Sequence, residues 1–113
     1  MSSVKQDHEQ AMEYADQADI ARSHGENDLA TSLFRQALDY ERRAAVAVAL
    51  DLEAEPTRSV LHRSAASLAL DCGEYREAER LICIALSGNP PEEIAEELRD
   101  LLETIYSRRS HLP

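Results

Sequence analysis

The residues able to do chemistry are few and stand apart. Four histidines (His8, His24, His62 and His111) and two cysteines (Cys72 and Cys83) are the candidate ligands and nucleophiles. A metal site needs its ligands to converge, and helices achieve this with His-x₃-His, Glu-x-x-His or Cys-x-x-Cys spacing. None of these spacings occurs. His62 could meet Cys72 or Cys83 across a helical hairpin, but that leaves the ligand set short. The serines lack a nucleophile-elbow setting, and no glycine-rich phosphate loop is present. Acid pairs such as Glu92/Glu96 fall on a polar face, where burial cannot tune a carboxyl for acid–base work. The expectation is therefore a chain that is not an enzyme, uses no metal or cofactor, and keeps its helicity in excess chelator.

The elements that hold these residues are helical. The 113 residues suit one domain, 1–113. Apolar residues make up 43% but aromatics only 4%, and alanine is abundant, which favours closely packed helices over a large interior cavity. Three glycines and four prolines leave few places to break a helix. The net charge of −10 argues against broad nucleic-acid binding and against docking on anionic membranes, both of which need clustered bases. It is compatible with a solvated surface or with a basic protein partner. No run of about 18 apolar residues exists, and "MSSVKQDHEQ" has no apolar segment of the secretory type. Cys72 and Cys83 lie in helical apolar patterns and read as small buried hydrophobes in a cytoplasmic protein.

The stretch from Ser59 to Pro90 organises the rest. Leu61, Ala65, Leu68, Ala69 and Cys72 mark one helical face, and Ala78, Leu81, Ile82, Ala85 and Leu86 mark another. Gly73 lies between them and can take the left-handed conformation that ends a helix. Gly88 closes the second helix. The offsets from Gly25 to Ala30, Phe34 and Ala37 equal those from Gly73 to Ala78, Ile82 and Ala85, so the unit occurs twice. The two glycines lie about 48 positions apart. "RRAAVAVALDLEAE" runs on without a breaker to Pro56, so the second helix is expected to be long, from near Asp28 to Leu52. Its "AAVAVAL" segment is apolar on nearly all sides and needs a cover, either the C-terminal helix or a second copy of the chain. The first helix is expected from His8, after a frayed start, and Asn27 or Asp28 can cap the second. Thr57 is placed to cap the third. Asn89, with Glu92 in capping-box position, is placed to cap the last, whose stripe is Ile94, Leu98, Leu101, Leu102 and Ile105.

Gly73, Tyr75, Ala78, Ile82, Ala85 and Pro90 carry a resemblance to the tetratricopeptide repeat, a helical hairpin of about 34 residues. In the first helix His62, Ala65, Ala66 and Ala69 occupy the offsets at which the family has Trp, Leu, Gly and Tyr. The resemblance implies an all-α superhelix: repeat 1 over about 8–55, repeat 2 over about 57–88, and a capping helix over about 90–108. It also implies a protein-binding groove lined by the first helix of each hairpin. By offset, that groove takes Met12, Ala15, Asp19, Arg22 and Ser23 from the first repeat, and Val60, Arg63, Ser67, Leu70 and Asp71 from the second. Ala15 and Asp19 depart from the family's clamp for acidic peptide C-termini, so that ligand class is not expected. The function implied is a non-catalytic adaptor for another protein or peptide. The alternative, resting on the charge, is an acidic inhibitor or antitoxin-like protein that masks a basic partner. Ala45, Val48, Ala49 and Leu52 are the candidate self-association surface of a homodimer.

Overall fold

A computed structural model describes residues 3–110. Among these the chain is all-helical, with no strand. The helices are α1 (Val4–Ser23), α2 (Asn27–Val48), α3 (Thr57–Asp71), α4 (Tyr75–Leu86) and α5 (Glu92–Arg109). α2 packs between α1 and α3, α4 pairs with α3, and α5 lies on α3 and α4.

The two tight turns have the same construction. Gly25 and Gly73 take φ of +75° and +73°. The amide of Gly25 donates to the Arg22 carbonyl and that of Glu26 to the Ala21 carbonyl; Gly73 donates to Leu70 and Glu74 to Ala69 in the same pattern. This pair of hydrogen bonds satisfies free carbonyls at a helix end and requires a left-handed residue at the glycine. The internal repeat seen in the sequence is thus also a repeat of backbone geometry. Ala30, Phe34 and Ala37 are buried, as are Ala78, Ile82 and Ala85, and all six belong to one core with residues from every helix. Small residues at the crossings let the helices approach closely. Ala78→Leu is expected to overpack the α3–α4 contact and cost about 1–3 kcal/mol in chemical denaturation. No loss would place Ala78 outside the packing that its full burial indicates.

Several helix boundaries differ from the sequence reading. α1 starts at Val4, earlier than His8, because Ser3 and Gln6 form a reciprocal capping box. α2 begins after Glu26 with no side-chain cap from Asn27 or Asp28. α2 also stops at Val48, four residues short of the expected end, and residues 49–56 turn back toward α3. Thr57 is the first residue of α3 and caps nothing; the Glu55 carboxylate accepts instead from the Ser59 amide at 2.9 Å and the Ser59 hydroxyl at 2.8 Å. Before α5 the cap position is Pro91, so neither Asn89 nor Glu92 forms the expected capping box. Gly88 does not have the left-handed φ of the other two glycines. Its small size matters because a Cβ there would collide with Arg58 Nη1.

The apolar segment at the end of α2 is divided. Ala44 and Ala45 are buried against Leu61 of α3, with Val4 and Val48 packed beside them. Ala45, at 0% exposure, belongs to the chain's own core and is unavailable for self-association. α5 packs on α3 and α4 and is not the cover for this segment. Val46, Leu50 and Leu52 remain exposed at 61%, 96% and 55%.

Candidate protein-binding face

α1, α3 and α5 carry the candidate face, joined by Arg22–Asp71 between α1 and α3 and by Arg63–Glu97 between α3 and α5. The structure gathers some of the expected groove residues into two groups and leaves the others apart. Near the ends of α1 and α3, Arg22 donates to Asp19 at 2.7 Å and reaches Asp71 at 3.5 Å, so these three form one ionic cluster. Partial burial pushes the Asp71 carboxyl above its ordinary range, and Arg22 pulls part of the way back. The Arg22 guanidinium also lies over the Phe34 ring, which ties the cluster to the core.

The second group is a groove of about 450 Å³ between α3 and α5, lined by Arg63, Ser64, Ser67, Glu97, Asp100, Leu101 and Thr104. Arg63 donates to Glu97 across it at 2.6 Å. Met12 and Val60 are half-buried and do not line this groove, and Leu70 is buried in the core. Ser64, Glu97, Asp100, Leu101 and Thr104 were not expected. The α5 residues could not be found by offsets taken from the repeats, because α5 belongs to neither hairpin and its position is set by packing on α3 and α4.

The charges on α5 are unevenly compensated. Glu97 pairs with Arg63, and Glu92 with Arg99 at 2.8 Å. Glu79 of α4 accepts from Arg109 at 2.9 Å and from the Tyr106 hydroxyl, and these bonds hold its carboxyl below the ordinary range. Glu93, Glu96, Asp100 and Glu103 have no ion-pair partner among the described residues. Steps of three and four residues place them on one side of the helix.

The histidines and cysteines lie away from this face or serve packing. Among the described residues no three His, Cys, Asp or Glu side chains stand close enough to hold a metal ion, and His111 lies outside those residues. Burial pushes the Cys72 thiol up to about 11, so it carries its proton at neutral pH. Cys83 is exposed on α4, which corrects the expectation that both cysteines are buried. His62 is buried, and its Nδ1–H donates to the Arg58 carbonyl at 2.7 Å.

Burial pushes the His62 pKa below its ordinary 6.5; the bond to the carbonyl opposes the shift and the Arg58 charge adds to it. The unfolded chain therefore binds a proton at His62 before the folded one does. Its contribution to stability is complete above the ordinary value and is lost as pH falls through 6.5 toward the lower folded value. The urea midpoint is expected to drop between about pH 7.5 and 5.5, and to drop less in His62→Gln. An unchanged pH slope in His62→Gln would rule out this histidine as the group responsible.

Among the described residues no helix is long and apolar enough to cross a membrane. No protein-family model, curated protein or solved structure matches the chain.

Proposed function

We propose that this chain is a non-catalytic interaction module of tetratricopeptide-like construction, an adaptor that holds a segment of another protein along its α1/α3/α5 face. The observation that carries this reading is the groove between α3 and α5, with the Ser64 and Ser67 hydroxyls and Leu101 along its wall for an extended or helical segment. The tetratricopeptide likeness is supported by the paired turns at Gly25 and Gly73 and by matching burial at the equivalent alanines. A cytoplasmic setting goes with this reading, since Cys72 and Cys83 are free thiols. Selecting a random peptide library on the wild type and on Ser67→Trp tests it. Ser67 is exposed, so the tryptophan fills the groove without entering the core. Peptides that bind the wild type and lose at least about tenfold in affinity on Ser67→Trp support the reading. Equal binding to both overturns it.

A specific observation favours the second reading, an acidic protein that masks a basic partner. The unpaired Glu93, Glu96, Asp100 and Glu103 would meet Lys or Arg side chains on such a surface. Salt separates the two. Charge masking weakens steeply between about 0.05 and 0.5 M salt, as the screening length shortens, whereas binding that rests on Leu101 and the groove hydroxyls changes little.

A further inference from the structure

The groove between α3 and α5 is left with charge of one sign. Arg63 is the base among its described lining residues, and it is engaged by Glu97 at 2.6 Å. Asp100 lies in the same lining, is exposed, and has no ion-pair partner among the described residues. At 3.6 residues per turn Glu93, Glu97 and Asp100 run along one edge of α5, so the unpaired Glu93 continues this edge one turn before Glu97. Leu101, half-buried, supplies an apolar surface next to Asp100. On the opposite wall the Ser64 and Ser67 hydroxyls are engaged by no other described residue, which leaves them for the main chain of a ligand.

We infer that the groove takes a basic segment of another protein, one with a Lys or Arg next to an apolar residue, the cation on Asp100 and the apolar side chain on Leu101. This rests on the groove reading proposed above and names its ligand class. Charge complementarity selects the occupant. An acidic segment would find the Arg63 guanidinium already neutralised, and would meet Asp100 and Glu93 as like charges. A wholly apolar segment would strip water from Asp100 and offer it nothing in return. A cation supplies the missing partner while its apolar neighbour covers Leu101. The Arg63–Glu97 pair then acts as an internal competitor. Arg63, its side chain 30% exposed, holds a carboxylate that an incoming cation would otherwise use. The chain's own arginine therefore limits how strongly the groove binds, and with one cation engaged the salt dependence stays shallow.

Short peptides selected from a random library on the full chain test this, with affinities read by fluorescence anisotropy. Those that Ser67→Trp rejects should carry Lys or Arg beside an apolar residue, and Glu in place of that cation should weaken them at least about tenfold. Asp100→Arg should weaken the same peptides at least about tenfold and bring the Glu-substituted ones back to within about threefold of the original affinity. Arg63→Gln should strengthen the basic peptides about threefold, because it releases Glu97; an acidic ligand would lose affinity instead. Glu103→Arg makes the same change in net charge but lies outside the groove lining, and should leave affinities within about twofold. Asp100 is exposed, so Asp100→Arg should keep the wild-type urea midpoint. The inference is overturned, and the groove reading left standing, if the peptides that Ser67→Trp rejects lack a cation or bind Asp100→Arg as well as the wild type. It is overturned equally if Glu103→Arg weakens them as much as Asp100→Arg, the result of diffuse charge masking. Finding no peptide that Ser67→Trp rejects removes the groove reading and the ligand class with it.

Discussion

Arg58→Ala should destabilise the fold by about 3–5 kcal/mol, the largest loss expected of any single side chain here. The Arg58 side chain is only 2% exposed. Its Nε donates to the Ala49 carbonyl at 2.7 Å, its Nη2 to Ile84 at 2.8 Å and its Nη1 to Ala85 at 3.3 Å. Ala49 follows the end of α2, and Ile84 and Ala85 lie in the last turn of α4. The guanidinium therefore sits at the negative ends of two helix dipoles, adding a donor to the Ile84 and Ala85 carbonyls, which also accept from the Ser87 hydroxyl and the Gly88 amide, and donating to the Ala49 carbonyl at the end of α2. The Glu55 carboxylate, 3.8 Å away, offsets part of the cost of burying the charge. Truncation would remove all three donors at once and leave a void beside Gly88. Arg58→Lys should recover only part of the loss, because a lysine ammonium cannot reproduce the planar fork. Gly88→Ala tests the same packing from the other side. Its Cβ would stand 2.9 Å from the Arg58 Cζ, and a cost of about 1–3 kcal/mol is expected. That cost should largely vanish in an Arg58→Ala background, since the two changes share one contact. Urea midpoints for the four chains give the result. A loss under about 1 kcal/mol for Arg58→Ala would show that the carbonyls find other partners.

His8→Ala should cost about 2–3 kcal/mol at neutral pH, although the histidine lies partly on the surface. Glu41 is 0% exposed in the middle of α2, and the His8 Nδ1 lies 2.9 Å from each of its carboxylate oxygens. Removing the imidazole leaves a buried carboxylate without its partner, and the cost is limited by water entering through the opened surface. Glu41→Gln retains an acceptor for the His8 N–H and should cost about 1 kcal/mol or less. If His8→Ala and Glu41→Gln prove equally mild, the pair contributes nothing measurable. If His8→Ala/Glu41→Leu regains most of the loss of His8→Ala, the loss came from the stranded charge rather than from missing packing around the ring.

Local periodicity determined the helices because their faces and stops are local properties. Gly25 and Gly73 were legible as turns, since a left-handed residue at a helix end favours glycine wherever it occurs. The repeated alanines were legible as packing positions because equal offsets from equal turns bury equivalent residues. Arg58 was not legible. An arginine early in a helix reads as solvated, and only the return of α4 beside the end of α2 supplies the three carbonyls that justify burying it. Glu41 and His8 were hidden for the same reason, since their partnership exists only after α1 folds against α2. The polar end of the "NPPEE" segment signalled a cap, yet Pro91 took that position and no side chain closed the box. The candidate groove was half visible. Arg63 and Ser67 follow from their offsets in α3, whereas Glu97, Asp100, Leu101 and Thr104 depend on where α5 docks. The apolar run at the end of α2 announced that a cover was needed. Which residues the chain covers itself, Ala44 and Ala45, and which it leaves open, Val46 and Ala47, was decided by the helical rotation that packs α2 between α1 and α3. Sequence thus determined what each segment prefers to be, through short-range sterics and the periodic placement of apolar groups. Tertiary structure decided which polar groups could be buried, because that depends on partners supplied from distant parts of the chain.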